Sequence, residues 1–280
     1  MRRVRARRSA LAGAALIAAV VLSGCATGAV NAGSPGHRST ARSTPSVRPT
    51  PTRTPTAGPT VTPTPTPTPP PTPTAPAFDK TAHSIDDPAS PWVVVNKSRA
   101  LNPIAYAPAD LTYPDVPNIN GQPMRQETAA ALVAMFHAGK AEAGLDFSVQ
   151  SAYRSFESQT RVYADDVARN GQAFADTDTA RPGHSEHQTG FAVDISAIPA
   201  SCSLDACFGD TAQGRWLAAN AWRFGFLLRY PADKVAVTGF AFEPWHYRYI
   251  GIPLSTQLHN TGVTTLEEFF GCPGGTTYPG

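Results

Sequence analysis

The sequence predicts an α+β fold in one domain, in which helices flank a small antiparallel sheet. Helices are expected at 125–144, 156–170 and 213–224. Short apolar or aromatic runs typical of strands occupy other segments, namely 91–97, 146–151, 191–195, 226–230 and 235–242. From Phe78 onward the chain holds about 200 residues, enough for a single domain with a hydrophobic core.

Local signals mark the ends of the expected helices. In the first helix, Leu132 and Phe136 follow helical spacing, and Gly144 is expected to end it. Ser155 is a favourable N-cap for the second helix. Residues 102–117 carry scattered prolines and are expected to form an ordered loop that wraps around the domain.

The N-terminus has the composition of an export signal. Five arginines and no acidic residue precede an apolar run at 11–22, which is too short to cross a bilayer comfortably. The run ends in Leu-Ser-Gly-Cys, which resembles the cleavage site of bacterial lipoproteins. This predicts removal of residues 1–24, lipidation of Cys25 and an extracytoplasmic protein with a lipid anchor in the bacterial cell membrane. An ordinary secretory signal with a chance cysteine is the alternative.

Residues 25–77 are predicted to be a disordered linker. Half of the chain's 28 prolines lie between Ser34 and Pro76, and large apolar residues are almost absent, so this segment cannot bury a core. Its Thr-Pro repeat favours an extended polyproline spacer. The composition fits both a stalk that lifts the domain from the membrane and a spacer with no role beyond length.

The net charge depends on which part of the chain is counted. The whole chain has 23 basic and 21 acidic residues, a formal charge of +2. All acidic residues lie after residue 77, together with 14 of the basic ones, so the expected domain at 78–280 carries −7. Nucleic-acid binding requires a basic face, and this composition argues against it.

The stretch at 181–196 places histidines next to an unusual carboxylate. Asp194 lies in the run Phe-Ala-Val-Asp-Ile, which predicts a buried strand. A carboxylate there is costly unless it is paired or binds a metal. His184 and His187 lie on the loop before the strand, and imidazole and carboxylate are ligand types that zinc accepts. This spacing alone is a weak indication of a metal site, since it also arises by chance.

A second acidic residue and a histidine occur at 240–249, in a strand-like alternation of aromatic residues around Pro244. In a regular extended chain Glu243 and His246 would lie on opposite faces, whereas a bulge at Pro244 would let them converge. Converged, they would supply a third metal ligand and an acidic residue for metal-assisted hydrolysis. The alternative is two polar positions on an edge strand.

Three sequence blocks together resemble VanY-type D-alanyl-D-alanine carboxypeptidases, zinc peptidases of the bacterial cell wall. The blocks are Ser-Ala-Tyr-Arg-Ser-Phe at 151–156, Ser-Glu-His-Gln-Thr-Gly-Phe-Ala-Val-Asp at 185–194 and Glu-Pro-Trp-His at 243–246. The likeness covers about 92–250 and implies a fold like that of hedgehog and D,D-peptidase domains. It also implies removal of the terminal D-alanine from peptidoglycan stem peptides, by a protein that faces the cell wall.

The resemblance assigns roles to particular residues. It implies one zinc ion per chain, bound by His187, Asp194 and His246, with Glu243 as general base and His184 outside the ligand set. Arg154 would bind the substrate carboxylate or the oxyanion; without the resemblance, pairing with an acid such as Asp165 is equally reasonable. Two weaker candidates for substrate contact remain, Ser185 and Gln188.

Two rival functions remain open. Similar proteins include L,D-carboxypeptidases that cut stem tetrapeptides, and the domain could also be a non-catalytic wall-binding module that keeps a structural metal. A structural site needs no base, so the presence of Glu243 argues against the module. The expected partners are stem peptides and, through Cys25, the membrane, and the expected state is a monomer.

Three cysteines follow Cys25. Cys202 and Cys207 bracket a short loop and, in an exported protein, are expected to form a disulfide. Cys272 is then left over, with no role that the sequence explains.

Overall fold

A computed structural model describes Gly58 and residues 77–279. The predicted signal peptide at 1–24, the predicted lipidation site at Cys25 and, apart from Gly58 and Ala77, the predicted linker lie outside the described residues. Among the helices of residues 77–279, none is both long and apolar enough to cross a membrane.

The central sheet has four antiparallel strands: β3 (Asp146–Ser151), β4 (Ala192–Ile198), β5 (Phe226–Leu228) and β6 (His246–Tyr249). Their spatial order is β3-β4-β6-β5. A separate ribbon joins the two short strands that come first in the chain, β1 (Leu111–Thr112) and β2 (Met124–Arg125). This small antiparallel sheet confirms the predicted fold class.

The helices flank the sheet. They are α1 (Gln126–Ala143), α2 (Phe156–Asn170), α3 (Gln172–Asp178), α4 (Ala212–Asn220), α5 (Val235–Thr238), α6 (Ile252–Thr261) and α7 (Leu266–Phe270). As the sequence predicts, α1 ends at Gly144, which takes a left-handed conformation with φ 68°. The side chain of Ser155 caps α2 by accepting a hydrogen bond from the backbone N–H of Ser158.

The two faces of the sheet have different chemistry. Side chains alternate along β4, so Val193 and Ile195 enter the main hydrophobic core while Asp194 lies on the other face. In the same way Tyr247 of β6 enters the core, and His246 does not. The core lies between the sheet and two helices, α1 and α4, and the opposite face is free to carry a polar site.

A second apolar cluster joins the N-terminal part of the domain to the C-terminal helices. It contains Trp92, Val94, Ile250, Leu254, Leu258, Leu266 and Phe269. The strand predicted at 91–97 is wrong, because this buried segment forms only an isolated bridge between Asn96 and Arg99. Arg248 donates to the carbonyl oxygens of Pro91 and Val93, so a side chain satisfies backbone groups that a neighbouring strand would otherwise bond.

The strand predicted at 235–242 is also wrong. The segment begins with the short helix α5, which ends at Gly239, and continues as a loop. Short apolar runs do not distinguish a strand from a helical turn. The helix predicted at 213–224 is divided into α4 and a 3₁₀ turn at Ala221–Phe224, and the strand predicted at 226–230 ends at Leu228.

Candidate metal centre

The sheet places Asp194 directly opposite His246. The two residues are cross-strand partners in the antiparallel pairing of β4 with β6, and both are almost fully buried. Residues in such a pair have neighbouring side chains. Nδ1 of His246 accordingly lies 3.1 Å from Oδ1 of Asp194.

A tight turn before β4 brings in His187. The residue lies in a 3₁₀ turn at Glu186–Thr189, and Gly190 follows it with φ 72°. A Cβ atom on Gly190 would lie 2.8 Å from Cγ of Arg125, so both the conformation and the space at this corner require glycine. The turn places Nε2 of His187 3.3 Å from Oδ2 of Asp194.

Three candidate ligand atoms converge as a result. One atom each from His187, Asp194 and His246 lie within 4.8 Å of one another. Tetrahedral zinc with bonds of about 2.0–2.1 Å separates neighbouring ligand atoms by about 3.4 Å. The distances from the two imidazoles to the Asp194 oxygens, 3.3 and 3.1 Å, are close to that value.

The hydrogen bonds of both imidazole rings fit a metal between them. Nδ1 of His187 lies 2.7 Å from the carbonyl oxygen of Ala152 and donates to it, which leaves Nε2 with a free lone pair. Nε2 of His246 lies 3.3 Å from Oε2 of Glu186, which leaves Nδ1 free. Oδ1 of Asp194 is buried without a hydrogen-bond partner in the described part of the chain, although Nδ1 of His246 lies 3.1 Å from it. A metal ion would satisfy this acceptor, and two nitrogens with one carboxylate suit zinc.

The charges of the cluster also suit metal binding. Burial is outweighed by His187 and His246, which together hold the pKa of Asp194 well below its usual range. Burial lowers the pKa of His187. For His246, burial is outweighed by the Asp194 and Glu186 carboxylates, which raise the pKa to about 9. The ionised Asp194 is the form that binds a metal, whereas a proton on His246 competes with the metal.

Glu186 was not singled out by the sequence analysis, and it is the centre of a buried charge network. Its Oε1 accepts from Nε of Arg229 at 2.7 Å and from Nη1 of Arg248 at 2.9 Å. Burial is outweighed by these two arginines, which hold the pKa of the Glu186 carboxyl well below its usual range. Glu267 completes the network by accepting two hydrogen bonds from Arg229. The position of Glu186 beside His187 was the only sequence signal for it.

Glu243 reaches the same cleft through a β-turn. The backbone N–H of His246 donates to the carbonyl oxygen of Glu243 at 3.0 Å, with Pro244 at the second position of the turn. Oε2 of Glu243 then lies 3.5 Å from Nδ1 of His246. No bulge at Pro244 is needed for the two residues to converge, because the turn precedes β6, which begins only at His246. Burial raises the pKa of Glu243 to about 8.

Arg154 lines the cleft beside the cluster. Its guanidinium donates to Oε1 of Gln159 at 3.0 Å and to Oγ of Ser151 at 2.9 Å. These contacts, and not the pairing with Asp165 that the sequence left open, hold the side chain. Burial lowers the pKa of Arg154, while Asp194 acts in the opposite direction. Two of the guanidinium donors are used, and the others remain for a ligand.

The remaining candidates lie in different places. Ser185 lines the cleft. Gln188 is fully buried away from the cleft, where its Nε2 donates to the carbonyl oxygens of Ile104 and Tyr106. It anchors the loop at 102–117 and is not presented to a substrate, which corrects its place among the substrate contacts. His184 bonds to the carbonyl oxygen of Asn96, outside the ligand cluster.

The predicted disulfide is present between Cys202 and Cys207, and Cys272 is a free thiol. The disulfide loop belongs to the site, because Leu204 lines the cleft. Leu204 has φ 54°, a conformation that is uncommon for residues other than glycine. The bridge thus holds a strained leucine at the rim of the candidate metal centre.

Comparison with known proteins places this geometry in a family. Residues 121–252 match the family described as VanY, D-alanyl-D-alanine carboxypeptidase. The chain is also 40% identical over 192 residues to the putative carboxypeptidase YodJ of Bacillus subtilis (strain 168), a match that covers 67% of this chain and 69% of that protein. The chain belongs to the VanY family. The matched range contains every residue of the candidate centre.

Other relatives of the family are similar over part of their length. The D-alanyl-D-alanine carboxypeptidase of Enterococcus faecalis (strain ATCC 700802 / V583) is 38% identical over 159 residues. The match covers 54% of this chain and 56% of that protein.

Two solved structures share the fold. The LdcB LD-carboxypeptidase is 39% identical with a TM-score of 0.61, over 66% of this chain and 87% of that one. A variant of the vancomycin-resistance D,D-pentapeptidase VanY in complex with Zn(II) is 34% identical with a TM-score of 0.54, over 64% of this chain and 97% of that one.

Proposed function

We propose that this member of the VanY family is a zinc-dependent carboxypeptidase that removes the C-terminal D-alanine from peptidoglycan stem peptides. The observation that carries the proposal is the convergence of His187, Asp194 and His246 in one cleft with Glu243 and Arg154. Relatives named D-alanyl-D-alanine carboxypeptidase support the substrate class.

Zinc would be held by Nε2 of His187, the carboxylate of Asp194 and Nδ1 of His246. When bound, zinc polarises a carbonyl group and makes a water molecule more acidic. The chain itself orients the ligands, since Ala152 and Glu186 fix which nitrogen of each ring is free.

Glu243 serves as the general base. Its Oε2 takes a proton from the attacking water and later gives it to the departing amine of D-alanine. The raised pKa of this carboxyl, which its burial causes, suits a group that both accepts and donates a proton near neutral pH. The turn at Pro244 keeps the carboxylate next to His246 and so next to the reacting centre.

Arg154 supplies positive charge where the substrate carries or develops negative charge. Its anchoring by Ser151 and Gln159 sets the guanidinium in one orientation before a ligand arrives. The terminal carboxylate of the peptide and the oxyanion of the reaction are both suitable partners. Ser185, on the cleft wall, is a further substrate contact.

A second candidate activity is L,D-carboxypeptidase cleavage of stem tetrapeptides. It is favoured by the likeness to the LdcB LD-carboxypeptidase, whose TM-score of 0.61 exceeds the 0.54 of the VanY variant. Both activities use the same ligands and base, and they differ in the stereochemistry of the residue before the scissile bond.

The proposed setting is the outer side of the bacterial membrane. The sequence of residues 1–24 and Cys25 supports export and lipid anchoring, and the composition of 25–77 supports a linker between the anchor and the catalytic domain. The domain would then act on the wall as a monomer.

The test uses the purified zinc-loaded protein with synthetic stem tripeptides, tetrapeptides and pentapeptides, and mass spectrometry of the products. We expect loss of one D-alanine from the pentapeptide. Cleavage of the tetrapeptide alone would favour the L,D activity. If no peptide is cut, the wall-binding module replaces the enzyme as the function.

A further inference from the structure

One acidic side chain in the cleft has no role in the proposed chemistry. Asp178, the last residue of α3, lines the cleft together with Arg154, Glu243 and His246. It is exposed to solvent, and its carboxylate has no hydrogen-bond or ion-pair partner in the described domain. It is also absent from the cluster of candidate metal ligands.

The acidic residues near Asp178, Asp166 and Asp176, both accept hydrogen bonds from other side chains. Asp166 accepts hydrogen bonds from the side chains of Asn170 and Thr179. Asp176 accepts from Tyr163 and, through both oxygens, from Arg181. These bonds fix the backbone on both sides of Asp178, so its carboxylate is presented from a rigid support. A rigid support holds a binding group in place at little further cost in conformational entropy.

The same cleft also contains the guanidinium of Arg154. Gln159 connects the two positions, because its Oε1 accepts from Arg154 and its Nε2 donates to the carbonyl oxygen of Ala180, two residues after Asp178. The cleft thus offers a cation held by its own hydrogen bonds, Arg154, and an anion carried on a supported backbone, Asp178. A substrate that matches it carries a carboxylate and, at another point, a cationic group.

We propose that Asp178 binds the side-chain ammonium group of the diamino acid in the stem peptide. This inference rests on the proposed function, and it selects a substrate class within it: stems whose diamino acid has a free amine. Upstream of the scissile bond, this ammonium is the cationic side-chain group of an uncrosslinked stem. The C-terminal carboxylate of the same stem is the anion that Arg154 would bind. A stem whose amine is acylated or crosslinked has no cation for Asp178 and is a poorer substrate.

Asp178 could instead act only on Glu243, since a nearby negative charge adds to the rise in the pKa of that carboxyl. The two roles differ in what they depend on. An effect through Glu243 is independent of the substrate and changes the pH dependence of kcat. Recognition of an ammonium group depends on the substrate and changes KM.

The test compares two pentapeptides that contain L-lysine, one with a free side-chain amine and one acetylated on that nitrogen. Three proteins are assayed with zinc: the parent, Asp178→Asn, and Asp165→Asn. The last is a matched control, because Asp165 is an exposed acid on α2 outside the cleft. Each substitution removes the same charge from the chain.

For Asp178→Asn we expect KM for the free-amine peptide to rise about fivefold, the upper range for an exposed charge pair, and any change in kcat to be the same for the two peptides. KM for the acetylated peptide should stay the same, and Asp165→Asn should match the parent on both. Equal changes in KM for the two peptides, or no change in KM for either, would overturn the proposal.

Titration of both peptides into zinc-loaded Glu243→Gln and Glu243→Gln/Asp178→Asn proteins reads recognition without turnover. If the parent cuts no peptide, but loss of Asp178 weakens binding of the free-amine peptide and not of the acetylated one, only the proposed function is contradicted. Turnover by the parent without discrimination would contradict this inference only.

Discussion

Oε2 of Glu186 lies 3.3 Å from Nε2 of His246, while Nδ1 of the same ring lies 3.1 Å from Oδ1 of Asp194. The imidazole is therefore held between a carboxylate that belongs to a buried charge network and one that faces the cleft. Arg229 and Arg248 keep Glu186 ionised, so it always presents an acceptor to Nε2. The orientation of a candidate metal ligand is thus set by charges deep in the domain.

Replacing Glu186 with glutamine should weaken zinc binding. The amide retains the shape but loses the charge that orders His246, and such outer partners typically account for 10–100-fold in metal affinity or activity. The change should also destabilise the fold by about 3 kcal/mol, because two buried arginines lose part of their compensation. Zinc affinity by competition with a chelator and chemical denaturation measure the two effects.

Glu267→Gln is the matched control for that experiment. Glu267 belongs to the same network through Arg229, yet it is not among the hydrogen-bond partners of His246. It should lower stability in a similar way and leave zinc affinity near that of the parent. Equal losses of zinc affinity in both variants would mean that the network acts through general stability and not through the imidazole.

Removal of a ligand should remove metal and activity together. His246→Ala leaves two protein ligands, which rarely hold a catalytic zinc tightly. The control is His184→Ala, since His184 is close in sequence to His187 but bonds to the backbone of Asn96. Elemental analysis should find zinc in the control and little in His246→Ala. Zinc retained at full occupancy in His246→Ala would refute the ligand assignment.

Glu243→Gln separates catalysis from metal binding. Glutamine is nearly isosteric but cannot accept the proton of water, and loss of a general base typically costs about 10²–10⁴-fold in rate. Zinc content should be unchanged, because the three ligands remain. We expect kcat on a D-alanine-ended pentapeptide to collapse and peptide affinity to change little. Turnover at the parental rate would exclude Glu243 as the base.

The support beneath Asp178 should be sensitive to acid. Hydrogen bonds from Arg181, and then from Tyr163, lower the pKa of Asp176 in the folded protein. A lowered pKa means that the ionised carboxylate stabilises the fold above about pH 3.9, the ordinary value for aspartate, and that this contribution is lost as the pH falls through the folded value. Asp176→Asn should therefore be less stable than the parent at pH 7, and the difference should shrink below pH ~4. A difference independent of pH, in urea denaturation, would contradict this.

Several elements could be predicted because their signals are local. The strand at 146–151 and the helix at 156–170 have the predicted bounds, since Ser155 caps the helix beside it and alternation marks the strand. The candidate ligands were also found from short motifs. A histidine before a strand and an aspartate inside it are close in sequence, and the β4–β6 pairing brings His246 to them.

The elements that could not be predicted depend on distant partners. Glu186 is bound by Arg229 and Arg248, which are 43 and 62 residues away in the sequence. The segment at 91–97 has the composition of a strand, but the guanidinium of Arg248 takes two of its carbonyl groups. Asp178 differs from the neighbouring acidic residues in lacking a partner, and the pairs that the neighbours form are tertiary contacts.

The disulfide loop supports the last prediction. Cys202 and Cys207 close a loop of about six residues. Such a loop constrains the unfolded chain less than a 15-residue loop, whose closure is worth about 3 kcal/mol. The double variant Cys202→Ser/Cys207→Ser should therefore lose less than that from its free energy of unfolding.

The larger effect of the double variant should be on substrate binding. The bridge closes the loop that carries Leu204, which lines the cleft. Released from the bridge, Leu204 can leave its left-handed conformation and withdraw from the cleft. We therefore expect KM for the pentapeptide to rise while zinc content stays constant. Leu204→Gly with the disulfide intact tests the same contact without freeing the loop, and it should raise KM as well. Unchanged KM in both variants would show that the loop does not touch the substrate.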